Sequence, residues 1–182
     1  MIICDFDIEL HRLKKEDLEL VRHWRNHESV RTQMLYQSFI NMSDQIKWFS
    51  NIDQMRDYYF IIHQNIMPVG CINIKDVDNI AGTGEAGIFM NPNHKGKDRE
   101  CAIKASVTLI KWAFTKLGLK QIRAKIKSTN RKASQLNQLL GYMDVLSTHD
   151  TNIIHYKLTR DKFDESLKKL EEYLDYKIFQ QG

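Results

Sequence analysis

Between Glu85 and Leu117 the chain reads as a short apolar strand, a proline stop, a basic loop and a long amphipathic helix, and the rest of the sequence has to be arranged around that unit. The strand is Glu85–Met90, ended by Asn91-Pro92 because proline cannot continue a ladder. Ile103, Val107, Ile110, Phe114 and Leu117 recur at steps of four and three, which predicts a helix from about Arg99 to Leu117. Ala102, Ser106, Leu109 and Ala113 widen its stripe, and Lys104, Thr108, Lys111 and Thr115 are expected on the opposite, polar face. Gly118 stands where a left-handed cap is wanted. Between strand and helix lies His94-Lys95-Gly96-Lys97-Asp98. Lysines approaching a helix start, where backbone N–H groups are free, suit an anion such as a pyrophosphate. An ordinary connection with solvated lysines is the other reading, and both stay open on this stretch alone.

Charge sharpens the question. The whole chain of 182 residues carries a mild +4, but residues 95–132 hold twelve Lys/Arg against Asp98 and Glu100. That local surplus suits an anionic ligand, either a phosphorylated cofactor or a nucleic acid. Length and a 42% hydrophobic fraction fit one globular domain. Cys4, Cys71 and Cys101 are odd in number and widely spaced, as free thiols in a reducing compartment would be. Acids alternate at the N-terminus and no apolar run approaches membrane length, so a cytoplasmic protein without a membrane partner is expected.

Taken in order, Ile2–Leu10 alternates, with Cys4, Phe6, Ile8 and Leu10 on one face, and predicts one half-buried strand. A helix from about Lys15 to Asn26 turns Leu18, Val21 and Trp24 inward. The aromatic and polar segment that follows has weak periodicity and reads as a binding loop or an irregular connection. Ser43 is the expected cap of a helix to about Asp53 that buries Ile46, Phe49 and Ile52. Tyr58–His63 and Val69–Lys75 form a hairpin signal, and Gln121–Ser128 alternates with Arg123, Lys125 and Lys127 on a face read as solvated. Asn130–Leu140 is a short helix closed by Gly141, strands follow at about Tyr142–Ser147 and Asn152–Thr159, and a tail helix runs through Leu167, Leu170, Leu174 and Ile178. The order β-α-α-β-β-β-α-β-α-β-β-α gives an α/β (α+β) fold, a mixed sheet with helices on its faces.

Over about residues 8 to 160, that order resembles the GNAT (Gcn5-related N-acetyltransferase) superfamily. The resemblance is carried by Leu10-His11-Arg12-Leu13 with Glu16-Asp17-Leu18, by Trp24-Arg25-Asn26-His27 with Val30 and Met34, and by Trp48-Phe49. Pro68-Val69-Gly70, Leu117-Gly118-Leu119 and Asn130 through Leu140-Gly141-Tyr142 complete it. The branch it looks most like contains UDP-4-amino-sugar N-acetyltransferases of the pseudaminic acid type and ribosomal-protein N-acetyltransferases. The resemblance implies a mostly antiparallel sheet of about seven strands, one domain over 1–160 and an extra C-terminal helix over 161–182 that covers its own sheet or a second subunit of a homodimer. It implies transfer of an acetyl group from acetyl-CoA to an amine. Lys95, Gly96, Lys97, Asp98, Arg99 and Glu100 would hold the pyrophosphate, backbone N–H groups of Ile88, Phe89 and Met90 would polarise the acetyl carbonyl, and Asn130, Ser134 and Asn137 would flank the cofactor.

Two departures stand out. Asp98 and Glu100 occupy positions where the family usually has small residues, and Asn137 stands where many relatives carry a proton-donating tyrosine. An amide can hydrogen-bond a departing sulfur but is no acid at neutral pH, which leaves water, Ser134 or Tyr142 to supply a proton. Glu85 is the candidate base, its pKa expected to rise with burial. Arg25, Asn26, Met34, Tyr36, Ser38, Phe39 and Trp48 combine an anion ligand, amide hydrogen bonding and flat apolar faces, which suits a nucleotide-linked amino sugar. N-terminal acetylation of a protein is the alternative acceptor, and a non-catalytic CoA- or RNA-binding protein the alternative class. His23 and His27 have metal-ligand spacing but no evident third ligand, so no metal is expected. The Arg123/Lys125/Lys127 face lacks interleaved aromatics, which argues against nucleic acid.

Overall fold

The computed structural model describes residues 1–94, 98–145 and 152–180. Among these, eight strands form one sheet: β1 (Ile2–Asp5), β2 (Ile8–Arg12), β3 (Tyr58–Gln64), β4 (Met67–Asp78), β5 (Thr83–Met90), β6 (Gln121–Lys127), β7 (Met143–Val145) and β8 (Ile153–Thr159). Their spatial order is β1-β2-β3-β4-β5-β6-β8-β7. Every neighbouring pair is antiparallel except β5 with β6. The helices are α1 (Leu18–Asn26), α2 (Glu28–Arg31), α3 (Met42–Ser50), α4 (Asp98–Thr115), α5 (Arg131–Leu139) and α6 (Arg160–Gln180).

The sheet has one strand more than expected because the alternating N-terminal run is a hairpin. Phe6 takes a left-handed φ of 55° and its N–H donates to the Asp5 carboxylate, so the chain turns where a continuous strand was read. That turn has a second consequence. It carries Asp5 and Asp7 over α4, where Lys111 pairs with Asp5 and Lys104 with Asp7 and Glu100, both of the latter at 2.8 Å. The first half of the α4 face expected in solvent is thereby covered: Lys104 and Thr108 are buried and Lys111 half-buried, while Thr115 stays exposed. A buried ammonium is tolerable only with paired carboxylates, and Lys104 has two.

Side chains alternate across the strands, so the sheet has two separate packing faces. Phe60, Ile62, Ile72, Ile74 and Ile122 pack against Cys101, Ala105, Leu109 and Phe114 of α4 and against Phe163 and Leu170 of α6. On the other face Ile61 meets Leu18 and Val21 of α1, with Trp48, Phe49 and Ile52 around them. Gly118 ends α4 in the left-handed region, φ 65°, as the sequence predicts. The cap of α3 is Asn41 rather than Ser43, since Asn41 Oδ1 accepts from both the Asp44 N–H and the Ser43 hydroxyl. Along α3, Gln45 is buried and Ile46 is exposed, the reverse of expectation for Ile46.

Candidate functional site

The site is made by a failure of pairing. β5 is bonded to β4 from Thr83 to Met90, but its parallel pairing with β6 covers only Thr83↔Gln121, Gly84↔Ile122 and Glu85↔Arg123. Beyond Glu85 the two strands part, and residues 86–89 of β5 and 124–127 of β6 line a cavity of about 690 Å³. Its walls include Ser106, Leu109 and Ile110 of α4 on one side and Gln45 and Trp48 of α3 on the other, so it passes through the sheet.

Glu85 sits at the parting point, with its side chain only 13% exposed. Lys75 lies directly across from it on β4 and contacts Oε1 at 3.0 Å; Lys125, two residues beyond the last β6 pair, contacts Oε2 at 2.9 Å. Burial pushes the Glu85 carboxyl up, but the hydrogen bonds from Lys125 and Lys75 outweigh it and hold the carboxyl below its ordinary value of 4.5. The expectation of a raised pKa is therefore reversed, because register brings in two lysines that the sequence places 10 and 40 residues away. Lys75 is also paired with Asp76 at 2.8 Å; burial lowers its pKa, and its bonds to Asp76 and Glu85 more than reverse that.

On the α1/α3 side, Arg25 lines the cavity with its guanidinium 5.8 Å from the centre of the Phe89 ring. Burial lowers its pKa, its Nη2 donates to the Tyr36 carbonyl at 3.4 Å, and its Nη1 is buried without a protein partner. No carboxylate among the described residues pairs with it. Met34, Tyr36 and Trp48 line the same cavity. Asn26, Ser38 and Phe39 do not. Asn26 Nδ2 donates to the Ile40 carbonyl at 2.7 Å and its Oδ1 accepts the Ile40 N–H at 2.8 Å, so its amide is a clamp on the segment between α2 and α3. That segment crosses to the other rim, where Lys127 donates to the Thr32 carbonyl at 2.9 Å and Asn130 to the Gln33 carbonyl at 3.5 Å. Phe39 is 65% exposed. The basic face read as solvated is split: Lys125 and Lys127 belong to the cavity, while Arg123 reaches Thr83 at 3.5 Å.

On the α4/α5 side, Ile88, Asn130 and Asn137 line the cavity, and Phe89 lines it from the α1/α3 face; Met90, Arg99, Glu100 and Ser134 do not line it. Glu100 is turned to Lys104, which neutralises it, and the Ser134 hydroxyl is spent on the Asn130 carbonyl inside α5. Asn130 caps α5 through the Ala133 N–H. Asn137 is 9% exposed, and its Nδ2 has no protein partner. Tyr142 lines the cavity as a buried phenol whose pKa burial raises. Lys95, Gly96 and Lys97, and the side chain of Asp98, lie outside the described residues. His27 accepts from the Ser29 N–H at the start of α2, and no group of His, Cys, Asp and Glu among the described residues is placed to hold a metal ion. No described helix is long and apolar enough to cross a membrane.

Alternation on β3 and β4 sorts Tyr59, Asn73 and Lys75 by face but leaves open whether that face meets water, core or ligand, so Tyr59 and Asn73 were missed; Gln45 was missed because the stripe of α3 was read through Ile46, Phe49 and Ile52.

Known proteins share this arrangement. Residues 7–143 match the Acetyltransferase (GNAT) domain. The acetyltransferase PseH of Campylobacter jejuni is 26% identical over 127 residues, 69% of this chain and 76% of that protein. Its structure in complex with acetyl coenzyme A superposes with a TM-score of 0.64 at 20% identity, covering 84% of this chain and 99% of that one. FdhC, a nucleotide-linked sugar GNAT, gives 0.78 at 20% identity over 93% of this chain and 96% of its own. Spermidine N-acetyltransferase from Vibrio cholerae, solved with CoA and spermine, gives 0.72 at 18% identity over 86% and 98%. The domain match covers 7–143, the stretch that holds the parted strands, Glu85 and the cavity between them: the chain belongs to the GNAT family and is an N-acetyltransferase that takes its acetyl group from acetyl-CoA.

Proposed function

We propose that the acceptor is the amino group of a nucleotide-linked amino sugar, a UDP-4-amino-deoxy sugar. The observation that carries this is Arg25, a partly buried guanidinium that lines the cavity, has a buried N–H without a protein partner and has no carboxylate partner among the described residues. An unpaired buried cation is costly, and a phosphate oxygen at Nη1 would remove the cost. The rest of the lining agrees: Lys75, Lys125 and Lys127 stand against Asp44 and Glu85. A polyamine would bring more positive charge to that wall. FdhC, named for nucleotide-linked sugars, and PseH are similar to this chain in the same direction.

The donor fits the other half of the cavity. Acetyl-CoA supplies a thioester whose acetyl group is passed to the amine. The edge of β5 from Ala86 to Met90 faces the gap instead of a strand, so Ile88–Met90 can offer backbone N–H groups to an acetyl oxygen. Leu109, Ile110, Leu136 and Leu140 give an apolar channel. The unpartnered Asn137 amide would be a hydrogen-bond donor for the cofactor's sulfur, and Tyr142, kept neutral by burial, is an O–H group lining the same cavity. Glu100, in the first turn of α4, is turned to Lys104, and the sequence stretch Lys95-Gly96-Lys97-Asp98 ahead of it supplies the lysines and the free backbone N–H groups that suit a pyrophosphate.

Glu85 receives the amine proton, directly or through a water. Its ionised form is present throughout the neutral range, so it is always ready to accept but is a weak base. The test is thiol release from acetyl-CoA with UDP-4-amino-deoxy sugars, spermidine and an amino-terminal peptide as acceptors. Release dependent on a nucleotide sugar is expected. Release with spermidine or the peptide alone would overturn the assignment of acceptor and leave the acetyl transfer intact.

A further inference from the structure

Across the α1/α3 face of the sheet, register sets residues in rows. Ile61, Cys71 and Phe89 form one row, Tyr59, Asn73 and Gly87 the next, and Lys75 with Glu85 the third. The rows differ in character. The first is apolar and has Arg25 over Phe89. The third carries the charges around Glu85. The middle row is neutral and polar, and its hydrogen bonds are unspent. Asn73 Nδ2 is buried without a partner, and no described group bonds the Tyr59 hydroxyl, whose pKa burial pushes up to about 12. Gln45 lines the same cavity from α3, 4% exposed, with Trp48 edge-on to Tyr59 at 5.0 Å.

Glycine is what opens this row. A Cβ at Gly87 would stand 3.0 Å from Asn73 Oδ1, so any side chain there would close the space in front of the amide. Positions 85, 87 and 89 follow one another at about 7 Å along the strand. The neutral row therefore lies midway between the unpaired cation and the carboxylate, where the body of a molecule with an anion at one end and an amine at the other would lie.

We infer that Asn73, with Tyr59 and Gln45, forms a neutral subsite for the hydroxyl or carbonyl oxygens of the acceptor's sugar ring, with Asn73 Nδ2 as the donor. The inference rests on the nucleotide amino sugar reading and adds to it the means of discrimination. A buried N–H demands an acceptor atom. A sugar ring offers several, and a protonated polyamine offers none. Sites built to bond a substrate oxygen reject analogues lacking it far more strongly than apolar sites reject a missing methylene.

The test uses Asn73→Leu, which keeps the volume and loses the donor, and Asn73→Ser, which keeps an O–H. Steady-state kinetics are measured with a UDP-4-amino-deoxy sugar, with UDP as a competitive inhibitor and with acetyl-CoA varied separately. Asn73→Leu should raise the KM for the sugar about tenfold, leave the UDP inhibition constant and the acetyl-CoA KM within twofold, and keep the melting temperature. Asn73→Ser should fall between it and the parent. A sugar KM unchanged in Asn73→Leu, with UDP still inhibiting, would overturn the subsite and spare the nucleotide reading, as would an equal rise in the UDP constant. A parent enzyme that neither binds UDP nor uses any UDP-amino sugar would bring down both.

Discussion

The two faces of the sheet are used differently. On the α4 face, side chains from five strands and two helices merge into one core in which Phe60, Ile62, Ile122 and Phe163, away from the cavity, are all at most 2% exposed. In its interior Lys104 has Asp7 and Glu100, and Thr108 donates to the Lys104 carbonyl; only at the cavity wall is a donor of this face left without a described partner, Asn137 Nδ2. On the α1/α3 face the core is small, and the cavity beside it is lined by polar groups that are not matched, Arg25 Nη1 and Asn73 Nδ2. One face supplies the stability; the other gives some up to leave donors waiting for a ligand. Unmatched groups on one face persist because the opposite face over-determines the fold.

Changes that break this contrast should separate stability from turnover. Phe60→Ala, on the α4 face, leaves a cavity among Trp112, Ile62 and the α4 side chains and should cost about 3–5 kcal/mol in denaturant unfolding, with the KM values of the surviving folded enzyme nearly unchanged. Glu85→Gln, at the fork, should lower kcat by roughly a hundredfold, near the lower end for loss of a general base, while acetyl-CoA still binds. Its pH profile sharpens the point. The folded pKa of Glu85 lies below 4.5, so the carboxylate is ionised above that value, and protonation sets in only as pH falls through the lowered one. The acid limb of kcat/KM in the neutral range should then belong to the acceptor amine and should persist in Glu85→Gln. A limb near neutrality that vanishes in the variant would mean that the lysines do not hold Glu85 as described.

Arg25→Met should raise the acceptor KM by about tenfold or more, the weight of a lost charge-assisted bond, without loss of melting temperature because no described carboxylate is orphaned. A variant that melts well below the parent would make Arg25 a structural residue. The smallest effect is expected for Asn26→Ala. Removing its two bonds to Ile40 should cost about 1–2 kcal/mol of local stability and raise the acceptor KM a few-fold, through loosening of the segment that carries Met34 and Tyr36, with the acetyl-CoA KM unmoved.

Local signals determined a good deal. The 3.6-residue stripe of α4, Gly118 as a left-handed cap and the inward Leu18, Val21 and Trp24 all follow from spacing and from the chemistry of single residues, and the structure has them. Glu85 at the mouth of the cavity and Arg25, Met34, Tyr36 and Trp48 around it were legible by resemblance. What the tertiary structure alone decided depends on pairs distant in sequence. Period two assigns Asn73, Lys75, Lys125 and Lys127 to a face of their strands, yet a face that meets water and one that meets a ligand cavity have the same pattern. Only the register of β4 on β5, and the parting of β6 after Arg123, turn that pattern into a carboxylate held by two lysines beside an open amide. The polar face of α4 is the converse case: alternation marked it for solvent, and a turn at Phe6 covered its first half. Chain-local chemistry sets which elements form, whereas the charge state of Glu85 and the free donors of the cavity are set by contacts that exist only once the sheet has closed.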